Sequence, residues 1–95
     1  MAGYVIADID VQDPESYDEY RKHVPATLEA YGGRFVVRGG ATETLEGSWS
    51  PKRIVVLEFP SVERARAWYE SEEYREPKQL RQRASTGSLL LVEGV

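Results

Sequence analysis

From Tyr4 to Val11 the side chains alternate with a period of two. Val5, Ala7, Ile9 and Val11 fall on one face, and Tyr4, Ile6, Asp8 and Asp10 on the other. This period predicts a strand. Its first face is fully apolar and suits packing on helices. Its second face is half apolar and half acidic and suits an interface or a partly wet interior. After Asp13-Pro14 the period lengthens: Tyr17, Tyr20, Val24, Leu28 and Tyr31 recur at helical spacing. Asp13 is placed to accept from the free N–H groups of the first turn, and Pro14 fits a position where no N–H is needed. Pro25 interrupts the stripe, which predicts a kink or two short helices meeting near His23. Gly32 is expected to cap the helix C-terminus.

A second alternating run, Arg34 to Arg38, lies between the pairs Gly32-Gly33 and Gly39-Gly40. Strict alternation turns Phe35 and Val37 one way and Arg34, Val36 and Arg38 the other. A polar loop from Ala41 to Pro51 carries Glu43, Glu46, Gly47 and Trp49. The strand Arg53–Phe59 follows, with Val55, Leu57 and Phe59 opposite Ile54, Val56 and Glu58. Ser61 is an N-cap candidate for a helix whose inner face is Val62, Ala65, Trp68 and Tyr69. Ser71 is placed to cap a short segment through Tyr74, and Pro77 to start a further turn or two with Leu80 and Ala84. Thr86-Gly87 is read as a turn before a last strand, Ser88 to Glu93.

The order β-α-β-β-α-β, with right-handed crossovers, predicts an α+β, ferredoxin-like arrangement: a four-stranded antiparallel sheet with helices on one face. Its length of 95 residues fits one domain, 1–95. Such a chain buries only about 60–65% of its unfolded surface, which argues for an oligomer. The uncovered sheet face would carry Ile6, Val36, Ile54 and Val56, an apolar patch that a second subunit must cover. The expectation is a homodimer forming a dimeric α/β barrel.

Charge and composition narrow the function classes. The formal charge of −4 disfavours a nucleic-acid partner. Nine of the twelve basic residues are Arg, the side chain that pairs carboxylates in a planar, bidentate fashion. The chain has no Cys, and its lone His23 has no second His beside it, so no metal and no other cofactor is expected. No run is long and apolar enough for a membrane span, and Met1-Ala2-Gly3 leads directly into a strand; a cytoplasmic location is expected.

Several stretches together carry a family likeness: Tyr31-Gly32-Gly33-Arg34-Phe35, Arg38-Gly39-Gly40, Glu46-Gly47 with Trp49, Arg53-Ile54-Val55-Val56, Phe59-Pro60-Ser61, Ala65 with Ala67-Trp68-Tyr69, and Ser71 with Tyr74. In this order they resemble the uncharacterised domain of unknown function 1330 family of the dimeric α/β-barrel superfamily. The resemblance runs over nearly the whole chain and implies a ferredoxin-like homodimer. It implies no activity. The wider superfamily includes cofactor-free oxygenases, haem-degrading enzymes, isomerases and dehydratases.

Candidate chemistry centres on Asp8, Arg38 and Glu58, which alternation assigns to the same uncovered face. Buried charges must be paired or line a wet cleft. One reading is a pocket in which Arg38 holds an anionic or aromatic metabolite while Asp8, Glu58 or His23 moves protons in metal-free acid–base catalysis. The other is a non-enzymatic structural or interaction dimer whose polar interior only fixes subunit register. Gly39 and Gly40 offer backbone N–H groups beside Arg38. Trp49, in a loop, is read as a pocket lid or a clasp on the other subunit. Tyr69 lies at the edge of the Trp68 anchor and is a further ligand-binding candidate. Arg75, Lys78, Arg81 and Arg83, interleaved with Glu72, Glu73 and Glu76, read as a solvated helix face.

Overall fold

The computed structural model describes all of residues 1–95. The elements are β1 (Gly3–Val11), α1 (Pro14–Ala30), β2 (Arg34–Arg38), β3 (Ile54–Phe59), α2 (Val62–Tyr69), α3 (Glu72–Ala84) and β4 (Ser85–Glu93). The four strands form one antiparallel sheet in the order β2-β3-β1-β4. With the helices packed on one side, this is the ferredoxin-like arrangement that the alternation predicts. The slab measures 35 × 34 × 16 Å, so it is one helix layer on one sheet, and the other sheet face is open.

Helix starts follow the capping residues. Asp13 accepts from the Ser16 N–H at 3.3 Å, Ser61 from Arg64 N–H at 3.2 Å and Ser71 from Tyr74 N–H at 3.1 Å. Each satisfies a donor that the first turn would otherwise leave free. At the end of α1, Gly32 takes φ +73°, and the Gly33 N–H returns to the Leu28 carbonyl at 2.9 Å. That left-handed residue is why a glycine follows the last turn.

Both internal prolines are carried inside unbroken helices. α1 runs through Pro25 for 17 residues and does not divide near His23. α3 runs through Pro77 from Glu72 to Ala84 as one 13-residue helix, where two short segments were expected. In each case the loss of one backbone bond is outweighed by the stripe the helix buries, at about 1.5–3 kcal/mol per large apolar side chain. β4 is also longer than the turn signal implied. It leaves α3 directly at Ser85 and pairs along the whole of β1, with Gly87 opposite Ile9. Gly87 sits inside the strand because any Cβ there would lie 2.2 Å from the Asp8 carbonyl oxygen.

The core lies between helices and sheet. Val5, Ala7 and Ile9 of β1 and Leu57 and Phe59 of β3 meet Tyr17, Tyr20, Val24 and Leu28 of α1, Ala65 and Trp68 of α2, and Tyr74 of α3. Trp68 is its anchor: it stacks on Tyr74 at 4.0 Å between centroids and leans on Phe59 at 5.4 Å. Its indole N–H donates to Thr27 Oγ1, which in turn donates to the Val24 carbonyl, so this buried polar pair is fully matched. No helix is long and apolar enough to cross a membrane.

Candidate functional site

Strand β2 contains an extra residue. Arg34 pairs with Glu58 and Phe35 with Leu57, but Val37, not Val36, pairs with Val56, and Arg38 pairs with Val55. A bulge of this kind sets two residues against one and reverses the facing of everything beyond it. Strict alternation had put Arg38 on the open face with Asp8 and Glu58. The bulge corrects this: Arg38 shares the helix-side face with Phe35, its guanidinium 4.2 Å from that ring's centroid. Val37 goes to the open face instead.

On the helix side, a cavity of about 40 Å³ opens between α1, α3 and the sheet. Its wall is mostly the aromatic and aliphatic core, including Tyr17, Tyr20, Phe35, Trp68 and Tyr74. Its charged lining is Arg21, Arg38, Arg53 and Arg81, with no carboxylate. The ion pairs of the chain engage Arg21, Lys22, His23, Arg34 and Arg75, so Arg38, Arg53 and Arg81 belong to none. Arg21 has only a long contact to Asp18, at 3.6 Å. Two buried side-chain polar atoms lack any hydrogen-bond partner, Arg21 Nε and Arg53 Nε, and both belong to this cavity's arginines. Unmatched buried donors are costly and rare, and each asks for an acceptor.

Local structure sets each cation. Arg53 immediately precedes β3, 5.7 Å from the Tyr17 ring centroid, and rests against Gly39, where a Cβ would collide with its guanidinium. Gly39 also has φ +70° and gives its N–H to the Ile54 carbonyl at 2.8 Å, so that N–H is not offered to an anion. What Gly39 supplies is room for Arg53. Gly40 faces open space.

Arg81 is the deepest cation, a buried residue of α3. Its Nε donates to the Tyr74 hydroxyl at 3.3 Å, and Tyr74 and Tyr20 hydroxyls share a 2.7 Å hydrogen bond. Burial raises the pKa of both phenols, with the neighbouring Tyr74 reinforcing it at Tyr20. They are therefore neutral hydroxyls throughout the physiological range.

Two carboxylates of the open face, Asp8 and Glu58, already have partners. Asp8 accepts the Trp49 indole N–H at 3.0 Å and the backbone N–H groups of Lys52 and Arg53 at 2.9 and 3.4 Å. The Trp49 bond, then the two backbone bonds, hold its pKa below the usual range. Glu58 accepts the Tyr4 hydroxyl at 2.8 Å and Arg34 Nε at 2.7 Å, and these two bonds, in that order, lower its pKa as well. Tyr4 faces Glu58 and Ile54 faces Asp8 across the β1–β3 ladder, so the two carboxylates are four strand positions apart, roughly 13 Å. The structure therefore does not bring Asp8, Arg38 and Glu58 together. Trp49 folds back onto Asp8 of its own chain and braces the loop, helped by Thr44 Oγ1 donating to the Trp49 carbonyl at 2.7 Å.

The other candidates are dispersed. His23 is exposed on α1 with Nε2 3.4 Å from Glu19 Oε1. Tyr69 is half-buried on the α2 side, with Lys78 Nζ 4.3 Å from its ring centroid, and does not line the arginine cavity. No three His, Cys, Asp or Glu side chains gather in a way that could hold a metal ion.

Arg21, Arg53, Arg81, Tyr20 and Tyr74 were not singled out as site residues by the sequence. One signal was present for Arg81. Positions 74, 77, 81 and 84 form a helical stripe of Tyr, Pro, Arg and Ala, so a cation stands on the inner face. Arg53 carried no such signal, because its facing depends on the bulge and on Gly39.

A family model described as domain of unknown function (DUF1330) matches residues 2–95. No curated protein matches the chain. Among solved structures, a protein of unknown function from Rhodopseudomonas palustris is 19% identical, with a TM-score of 0.78 over 99% of this chain and 82% of the other. A dimeric ferredoxin-like protein of unknown function from Jannaschia sp. is 12% identical, with a TM-score of 0.62 over 100% and 99%. SnoaB, a cofactor-independent oxygenase from Streptomyces nogalater, is 14% identical, with a TM-score of 0.62 over 99% and 92%. At these identities the likeness is one of fold.

Proposed function

We propose, from the premise that this chain belongs to the DUF1330 family, that it is a homodimer binding a small anionic metabolite with an aromatic or apolar body. The site is the cavity between α1, α3 and the sheet. One observation carries the reading: four arginines and no carboxylate line a largely apolar cavity in a chain whose net charge is −4. A protein this acidic supplies counterions freely elsewhere, so their exclusion from one place favours an anion from outside. On the measure by which a water needs roughly 10–15 Å³, the enclosed volume of about 40 Å³ takes a carboxylate or the edge of a ring. The rest of the ligand lies across the mouth, against Arg38 and the Phe35 ring. No cavity side chain is a base at neutral pH, so the reading is one of binding rather than turnover.

Dimerisation through the open face is supported by its apolar content. Ile6, Val56 and Leu90 line up across three strands, with Ile54, Val37 and Val92 beside them. Leu90 and Val92 are exposed. The fold likeness to a structure described as dimeric agrees with this. In this reading Asp8 and Glu58 serve the interface and the loop, without Arg38.

Calorimetric titration with benzoate tests the site. Wild-type protein is expected to bind, and Arg38→Gln and Arg53→Gln to bind at least tenfold more weakly while keeping their fold and oligomeric state. Equal binding by all three proteins overturns the reading.

A further inference from the structure

The inner end of the cavity carries an odd hydrogen. Tyr20 and Tyr74 bring two hydroxyl hydrogens, and the 2.7 Å bond between them uses one. Arg81, the third member of the chain, is a donor only and already gives Nε–H to Tyr74. No carbonyl or carboxylate accepts from either hydroxyl. Whichever way the shared bond points, one phenolic hydrogen is left without a protein acceptor. Both residues line the cavity, and both are at least nine-tenths buried. An unmade bond at that depth costs as much as a typical hydrogen bond contributes, or more.

Three features make this donor unlike an ordinary tyrosine. It is backed by a permanent cation, because Arg81 polarises Tyr74 and, through it, Tyr20. It stands where water is largely excluded, so its attraction for negative charge is weakly screened. The charged groups facing it are Arg21, Arg38, Arg53 and Arg81, all of one sign. A neutral acceptor such as a ketone would satisfy the geometry. An anionic oxygen satisfies the geometry and the charge together.

We infer that the Tyr20–Tyr74–Arg81 chain is an oxyanion-binding end of the cavity, selecting ligands with an ionisable phenol or enol oxygen and holding that oxygen deprotonated. This rests on the cavity being the ligand site and adds the ligand's second functional group: an aromatic or unsaturated body with an acidic O–H pointing inward. A carboxylate alone would need only Arg21, Arg38 and Arg53.

The test uses the whole protein and two probes. Benzoate, read by calorimetry, reports Arg38 and Arg53. 4-Nitrophenol, whose anion has its own visible absorption, reports the inner end. Bound 4-nitrophenol is expected to ionise at lower pH than free probe, with the anion preferred about tenfold or more, which is one pKa unit. The variants separate the roles. Tyr20→Phe leaves the Tyr74 hydrogen directly beside Arg81 and keeps the preference. Tyr74→Phe cuts Tyr20 from Arg81 and reduces it. The double variant Tyr20→Phe/Tyr74→Phe abolishes it while benzoate still binds. Arg38→Gln weakens benzoate and lowers the nitrophenol preference less than Tyr74→Phe does. A preference that survives the double variant would come from the arginines alone and overturns the inference. If the double variant does not fold, an undiminished preference in Tyr74→Phe overturns it equally. Benzoate binding with no ionisation shift overturns the inference and leaves the cavity reading standing. Failure of both probes to bind overturns both.

Discussion

The two faces of the sheet handle charge in opposite ways. On the open face, each central carboxylate is fully employed: Asp8 holds the 39–53 connection through Trp49 and two backbone amides, and Glu58 is held by Tyr4 and Arg34. On the helix face, Arg38, Arg53 and Arg81 have no carboxylate at all, and two guanidinium N–H groups are buried without partners. A satisfied charge builds structure, whereas an unsatisfied one marks a place where the fold is incomplete until something arrives. The difference is the ground on which we propose assembly for the open face and ligand binding for the helix face.

The strongest way to break that division is to put charge on the assembly face. Val56→Glu combined with Leu90→Glu is expected to weaken the dimer by more than about 100-fold, since each lost apolar contact is worth about 1.5–3 kcal/mol and an unpaired buried charge costs more. Sedimentation velocity at micromolar concentration reads it. A variant that remains dimeric places the interface elsewhere. Next comes the helix face. Arg53→Gln removes a charged donor worth about 1.5–3 kcal/mol, so benzoate affinity is expected to fall roughly 10- to 100-fold with the sedimentation profile unchanged.

Smaller effects sharpen the comparison. Asp8→Ala releases Trp49 and two backbone amides, and the Trp49 emission is expected to shift to the red while buried Trp68 keeps its own. Benzoate affinity should stay within twofold. Acid does the same to the wild type. The folded pKa values of Asp8 and Glu58 lie below their usual values, so their contribution is fully present above about pH 4–4.5 and is lost as pH falls through the folded values. Trp49 emission and dimer affinity should therefore be flat from pH 8 to pH 5 and change only below about pH 4. Smallest of all, His23→Gln is expected to leave binding and dimer affinity unchanged, because its side chain is exposed, pairs with Glu19 and does not line the arginine cavity.

Much of the fold was legible because it rests on local chemistry. The periods of two and of three to four, the caps at Asp13, Ser61 and Ser71 and the glycine after α1 each state their structure within a few residues. Pro25 and Pro77 misled because helix breaking is a local cost, and here long-range burial exceeds it. The site was less legible for a related reason. Alternation is a rule carried from residue to residue, so a single bulge at Val36 invalidates it for Arg38 while leaving Arg34 correct. Arg81 was hidden in a run of mixed charge, and only its place in the Tyr74–Ala84 stripe distinguished it from Arg75 and Arg83. Tyr20 and Tyr74 looked like core aromatics, and they are; their hydroxyls matter because of a partner 54 residues away.

The bulge in β2 also bears on how relatives of this chain should be compared. Between Arg34 and Arg38 the count of residues, not only their identity, decides which side of the sheet an arginine serves. A relative with the same Arg-containing strand but one residue fewer would deliver its arginine to the open face of the sheet and leave the cavity one cation short. Two chains that look conserved at this strand can therefore differ in ligand. An insertion or deletion there, easily dismissed as loop drift, is as consequential as replacing Arg38 itself.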